Sequence, residues 1–231
     1  MAVERYVFIS TISVYPEFSK VGIDENNPVG TMEDATIEEV GGQSYGPLKA
    51  LCERAVQDLM PGKAITIRPG LIVGPHDPTN RFSYWRTRGA RGGDVLVPRS
   101  LDWPTQLIDA RDLGAWTVTM AESGAPGVYN ATGPDYPLTF GEVFNACRDV
   151  VQSDARPVIV SEEFFAGVEG RPLDGIAAPD PRCARECRFR GDRLSPGAHR
   201  RADPVRGRSG VLSTVSGKDE IANNAPILPP D

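Results

Sequence analysis

Residues 45–68 read YGPLKALCERAVQDLMPGKAITIR, and their pattern changes period once. From Tyr45 the apolar residues Leu48, Leu51, Cys52, Ala55, Val56 and Leu59 recur at helical spacing and form one stripe. Pro47 fits the first turn of such a helix, where an N–H has no intrahelical partner anyway. Met60-Pro61-Gly62 stops the helix, and Ala64-Ile65-Thr66-Ile67-Arg68 follows as a strand. Upstream, Arg5-Tyr6-Val7-Phe8-Ile9-Ser10 is a short apolar run, expected as a strand buried on both faces. Strand, helix and strand in that order make a βαβ crossover, which implies a parallel sheet. Residues 16–44 lack helical period and carry Pro, Gly and acidic residues, so they are expected as one long loop.

The same logic extends downstream. Leu107-Ile108 reads as a short strand, Asp112 to Met120 as a helix, and Gly127-Val128-Tyr129-Asn130-Ala131 as another strand. Thr139-Phe140-Gly141-Glu142 is a capping box opening a helix with Val143, Phe144, Cys147 and Val150. Pro157-Val158-Ile159-Val160 reads as a strand, with Ser161 as cap of a short helix. After about Gly170 the aliphatic residues thin out and arginines crowd, among them Arg182, Arg185, Arg188, Arg190 and Arg193. Such a stretch buries too little apolar surface to offset its ordering entropy, so residues 171–231 are expected to be a poorly ordered tail.

Composition bounds the function. The chain has 231 residues, 40% hydrophobic and 24% charged, which fits a globular protein. A net charge of -6 argues against a general nucleic-acid binder. No apolar run approaches the roughly 18 residues of a membrane span. Met1-Ala2-Val3-Glu4-Arg5 carries no secretory pattern, so a reducing cytoplasm is expected, with Cys52 and Cys147 as buried thiols. Cys183-x-x-x-Cys187 with His199 has loose spacing and no second paired motif, so no metal is expected.

The chemistry centres on Tyr45 and Lys49. Positions i and i+4 share a helix face, so a phenol and an ammonium stand side by side. A cation beside a phenol favours the phenolate, which suits proton transfer at a carbonyl or alcohol. A hydroxyl from Thr11, at the carboxyl end of the preceding strand, is placed to hold the substrate oxygen, because parallel sheets bind ligands at those ends. The spacing alone fits equally well a partly exposed helix-start tyrosine and a solvated lysine.

Several further stretches accompany the pair in order. They are Tyr6 to Tyr15 (YVFISTISVY), Tyr45 to Lys49, Ile67 to Pro75 (IRPGLIVGP), Gln106 to Leu113 (QLIDARDL) and Gly127 to Gly133 (GVYNATG). With them the chain resembles the extended short-chain dehydrogenase/reductase family, the NAD(P)-dependent sugar-nucleotide epimerases, dehydratases and reductases, over about residues 3–165. The resemblance implies an α/β fold: a partial Rossmann-like, doubly wound parallel sheet with a small α/β substrate lobe. It divides the chain into residues 1–75, the C-terminal half of a nucleotide-binding domain; 76–170, a substrate lobe with interleaved Rossmann elements; and 171–231, the tail. It makes Thr11, Tyr45 and Lys49 the catalytic triad and puts Ser10, Tyr45, Lys49, Pro69, Gly70 and Leu71 against NAD or NADP. The turn Gly74 to Pro78 and the stretch Arg81-Phe82-Ser83-Tyr84-Trp85 fall where the family begins its substrate region, so the substrate, sugar-nucleotide-like or another small molecule bearing a hydroxyl or carbonyl, would meet His76 and Arg81, with Arg81 or Arg86 making a forked hydrogen bond to a phosphate or carboxylate. Ile12-Ser13 stands where similar dehydratases carry an acidic pair, which argues against dehydration.

The resembling family opens with a strand and Gly-x-x-Gly-x-x-Gly, whose backbone N–H groups hold the pyrophosphate. Gly41-Gly42 and Gly92-Gly93 follow no buried strand and do not supply it. The expectation is therefore an N-terminally truncated sheet lacking its first βαβ units, with impaired cofactor binding and little turnover. The alternative is a non-catalytic interaction module, or a homodimer, that pairs the open edge of the strand at Arg5–Ser10.

Overall fold

A computed structural model describes residues 3–18, 22–79, 81–98, 100–123, 125–161 and 164. The expectations for the tail 171–231, and for Cys183, Cys187 and His199, lie outside the described residues.

Three parallel strands form the central sheet in the order β1-β2-β7: β1 (Tyr6–Ile9), β2 (Ala64–Pro69) and β7 (Gly127–Ala131). Phe8 aligns with Thr66, and Thr66 with Val128. Helix α1 (Tyr45–Leu59) links β1 to β2, completing the crossover that the change of period predicts. Strand alternation divides β2 between two layers. Ile65 and Ile67 pack with Leu113 and Met120 of α3 (Ala110–Ser123), while Arg68 meets Glu53 of α1. All six residues of β2 are buried, as a central parallel strand requires.

A second core lies beyond β2. It gathers α2 (Ser83–Ala90) and α4 (Phe140–Val150) around Val73, Trp85, Val95, Val97, Leu107, Phe144 and Cys147. Its strands come in pairs. β3 (Ile72–Val73) runs parallel to β6 (Ile108–Asp109), and β4 (Asp94–Pro98) runs parallel to β9 (Arg156–Val160). β5 (Pro104–Thr105) runs antiparallel to β8 (Leu138–Thr139). The capping box at α4 forms as expected: Thr139 accepts from the Glu142 N–H, and the Glu142 side chain accepts from the Thr139 N–H.

Three expectations are corrected. β1 is half exposed rather than buried on both faces, with Tyr6 43% and Ile9 42% accessible, because it is an edge strand among the described residues. The face that α1 turns to the protein carries Gly46, Ala50 and Glu53, not the apolar stripe; Leu59 is 79% exposed. Cys52, on that stripe, is exposed, whereas Cys147 is buried. Small residues and an ion pair make the contact instead, and hydrophobicity does not flag them. The loop over residues 16–44 holds no helix or strand among its described residues, yet it is anchored. Ile23 is buried with Val14, Tyr15 and Ala50, and the Gly30 N–H donates to the Val14 carbonyl at 2.7 Å. Among the described residues, no helix is long and apolar enough to cross a membrane.

Candidate functional site

A cavity of about 540 Å³ opens at the carboxyl ends of β1 and β2, where open parallel sheets bind ligands. Beyond β1 the chain makes a single 3-10 turn at Ile12–Val14, capped by Thr11. The Thr11 hydroxyl accepts from the Ser13 N–H at 3.1 Å and donates to Ser13 Oγ at 3.1 Å. This fixes two hydroxyls beside each other on the cavity wall.

Helix α1 starts against this turn. Gly46 leaves no room for a side chain, because an added Cβ would run into the Ser13 carbonyl oxygen. Only glycine permits that approach, and it brings the neighbouring Tyr45 to the cavity, 41% exposed. One turn on, Lys49 Nζ donates to the Ile9 carbonyl at 2.8 Å and sits 4.3 Å from the centroid of the Phe8 ring. The ammonium is thus held at the end of β1 by a charge-assisted hydrogen bond and a cation–π contact.

A further turn along, Glu53 is 6% exposed and takes a forked pair of bonds from Arg68, Nε to Oε1 at 2.9 Å and Nη2 to Oε2 at 2.6 Å. Arg68 Nη1 also donates to the Tyr15 hydroxyl at 2.8 Å, and Tyr15 donates to Asn130 Oδ1 at 2.8 Å. Burial opposes the charge on Arg68, but its hydrogen bonds to Glu53 and Tyr15 outweigh it and hold its pKa above the usual value. Burial pushes the Tyr15 phenol up, against the pull of Arg68. Glu25 closes the chain of contacts by accepting from the Asn130 N–H at 2.7 Å. The network ties α1 to β2, β7 and the turn after β1, directly behind Tyr45 and Lys49.

Ser10, Thr11, Tyr45, Lys49, Pro69, Gly70, Leu71 and Arg81 all line the one cavity. His76 does not. It is exposed in the turn after Gly74, with φ at 65°. Arg81 is held by its Nε donating to Thr79 Oγ1 at 2.9 Å. Ser10 is 5% exposed, and its Oγ has no hydrogen-bond partner among the described residues. Phe82 and Trp85, from the stretch that the resemblance puts at the start of the substrate region, also line the cavity, and so do Ser13, Gln106 and Phe140, which the sequence does not single out as cavity residues. For Ser13 the signal is its place two residues after Thr11. Gln106 and Phe140 come from distant segments and carry no local sign of meeting Tyr45.

Comparison with known proteins follows the same outline. Residues 1–132 match the model of the NAD dependent epimerase/dehydratase family. Solved structures share the fold. A dTDP-4-dehydrorhamnose reductase from Clostridium acetobutylicum is 19% identical with a TM-score of 0.56, over 70% of this chain and 52% of that one. A dTDP-4-dehydrorhamnose reductase from Bacillus anthracis, in complex with NADP, is 20% identical with a TM-score of 0.55, over 71% and 54%. A UDP-N-acetylglucosamine 4-epimerase from Bacillus cereus is 16% identical with a TM-score of 0.52, over 69% and 55%. The chain therefore spans about half the length of these structures. None of the curated proteins compared with the chain matches it.

Proposed function

The chain belongs to the NAD dependent epimerase/dehydratase family, and from that premise we propose that its cavity is the reacting half of an NAD(P)-dependent oxidoreductase site. The observation that supports this most is the convergence of Thr11, Tyr45 and Lys49 on one cavity at the strand ends. In this reading the Tyr45 phenol gives or takes the proton at the substrate oxygen. The Thr11 hydroxyl, with Ser13 hydrogen-bonded beside it, holds that oxygen in place. Lys49 sits one turn from the phenol and holds a ribose hydroxyl. The unpartnered Ser10 hydroxyl and the backbone of Pro69, Gly70 and Leu71 fit the nicotinamide-ribose end of the cofactor. When bound, the nicotinamide supplies or accepts the hydride. The substrate is a small molecule with a hydroxyl or carbonyl, for which dTDP- and UDP-sugars are the precedent in the similar structures. Arg81 is the candidate to meet an anionic group on it.

No Gly-x-x-Gly-x-x-Gly occurs in the 231 residues, and we infer from this that the sequence itself supplies no glycine-rich cradle for the pyrophosphate. We read the chain alone as a weak dinucleotide binder with little turnover. Reduced nicotinamide mononucleotide, which has no pyrophosphate bridge, separates the two halves of the idea. Fluorescence titration is expected to show it binding within a few-fold of NADH and NADPH, and Lys49→Ala is expected to weaken it about tenfold. Tight stoichiometric NADH binding would refute the missing cradle. Binding of neither nucleotide, with Lys49→Ala silent, would refute the site.

The exposed edge of β1 favours a second reading, in which the sheet pairs with another chain or with a second copy. Light scattering that finds a strict monomer at high concentration counts against self-association.

A further inference from the structure

The cavity has two unlike walls, and the difference sharpens the reading above, on which this inference rests. Thr11, Ser13, Tyr45 and Lys49, from the β1 end and α1, supply one wall with hydroxyls and a charge. A second set of lining residues is apolar: Trp85, Leu107, Phe140 and Val143 belong to the second apolar core and Leu71 and Phe82 pack against it, while Arg81, Thr105 and Gln106 from the same segments add polar groups. Four of the apolar residues are buried: Trp85 at 1%, Leu107 at 4%, Phe140 at 7% and Val143 at 8% exposed. The Trp85 and Phe140 rings meet edge to face, with centroids 4.8 Å apart. A wall built from core side chains is already in place before a ligand arrives, and it does not rearrange to offer polar groups. The Gln106 amide oxygen has no partner among the described residues.

A hexose ring carries several hydroxyls. Each loses water on entering a closed site and needs a partner there, or its desolvation goes uncompensated. An aromatic and aliphatic wall answers few of them. The same wall suits an apolar body, whose transfer from water is favourable in proportion to the area covered. We propose that the substrate end of this cavity takes a compact ketone or secondary alcohol with an aromatic or branched aliphatic body, rather than a nucleotide-linked sugar. The oxygen of that substrate lies at Thr11 and Tyr45, and its body lies on Phe82, Trp85 and Phe140.

Calorimetric titration of the full chain, with no dinucleotide present, tests this with acetophenone and 3-methyl-2-butanone against UDP-glucose. The expected result is saturable, one-to-one binding of acetophenone at millimolar concentration or below, as a ligand of so few atoms allows. UDP-glucose is expected to give no saturation over the same range. Phe82→Asn, at the rim of the wall, is expected to weaken acetophenone about tenfold or more with the melting temperature held. Val143→Thr places a hydroxyl in nearly the same shape and is expected to weaken it several-fold, which keeps the test open if Phe82→Asn fails to fold. Tighter binding of UDP-glucose than of acetophenone overturns the proposal, and so does an acetophenone affinity that neither variant moves. Because no dinucleotide enters the experiment, its failure leaves the mononucleotide result standing, and the converse holds too.

Discussion

Removing the guanidinium of Arg68 strands the Glu53 carboxylate inside the protein. The two side chains are 5% and 8% exposed and share two charge-assisted hydrogen bonds. In Arg68→Met the carboxylate keeps its burial and loses its counter-charge, while Tyr15 loses a donor but keeps Asn130. Breaking one side of a buried pair typically costs about 3–5 kcal/mol. Glu53→Leu does the reverse and leaves a buried cation, at a similar cost. The double variant removes both charges and both desolvation penalties, and such apolar replacements are often close to neutral. The expected pattern is two severe single variants and a double variant within about 1 kcal/mol of the parent, so the coupling in the cycle is large. Urea unfolding followed by circular dichroism reads each value, with an unchanged slope confirming that the same surface is exposed. In melting temperature the single variants are expected to fall by about 6–20 °C, taking 2–4 °C per kcal/mol for a chain of this size. A cost below about 1 kcal/mol for Arg68→Met would refute the reasoning. So would a double variant as damaged as the sum of the singles, since that would make the residues packing elements rather than an ion pair.

Other perturbations give independent checks. Gly46→Ala gains about 1 kcal/mol of helix propensity, but its Cβ meets the backbone of Ser13, and forced overpacking costs about 1–3 kcal/mol; net destabilisation is expected in urea, and a gain would show that the approach is loose. Burial pushes the Cys147 thiol from 9.0 up to about 12, so the folded state keeps its proton when the unfolded chain has lost it. The associated stability is complete below pH 9 and drains away between pH 9 and 12, up to about 4 kcal/mol, and the difference between parent and Cys147→Ala should follow that window. Iodoacetamide at pH 8 is expected to label Cys52 in the native state and Cys147 only after unfolding, as peptide mass mapping would read. Thr139→Ala removes one half of a complete capping box and is expected to cost about 1 kcal/mol; no change in the urea midpoint would mean the helix end is held by its packing alone.

What the sequence made legible was local or periodic. The crossover through α1 is written in a change of period within one stretch, and the start of α4 in four residues. Other features needed partners that lie far away. β4 is a short run, DVLVP, whose partner strand at Arg156–Val160 lies far along the chain, so nothing nearby marks it. α2 buries only Trp85 and Gly89, which leaves no stripe to read. The apolar lining of the cavity is only half legible for the same reason: Phe82 and Trp85 lie in a stretch the resemblance assigns to the substrate region, but Phe140 is an ordinary core residue until the second core folds. Resemblance and spacing single out Thr11, Tyr45 and Lys49, and the structure places all three on one cavity, while His76 stands outside it.

The face that α1 turns to the protein is what registers the helix to the site. Three successive turns of that face each make one fixed contact: Gly46 with the Ser13 carbonyl, Lys49 with the Ile9 carbonyl, and Glu53 with Arg68. These are steric or polar contacts with defined geometry, whereas an apolar stripe can slide or rotate against a core at little cost. The helix is therefore registered to the ends of β1 and β2 through the residues that flank the phenol. Half of its apolar stripe is exposed, Cys52, Ala55 and Leu59 (79% accessible), while Leu48, Leu51 and Val56 are half-buried. Substitutions at the exposed stripe residues Cys52, Ala55 and Leu59 are expected to leave the cavity geometry alone. Substitutions at Gly46, Lys49 or Glu53 act on the position of Tyr45, even though only Lys49 among them lines the cavity.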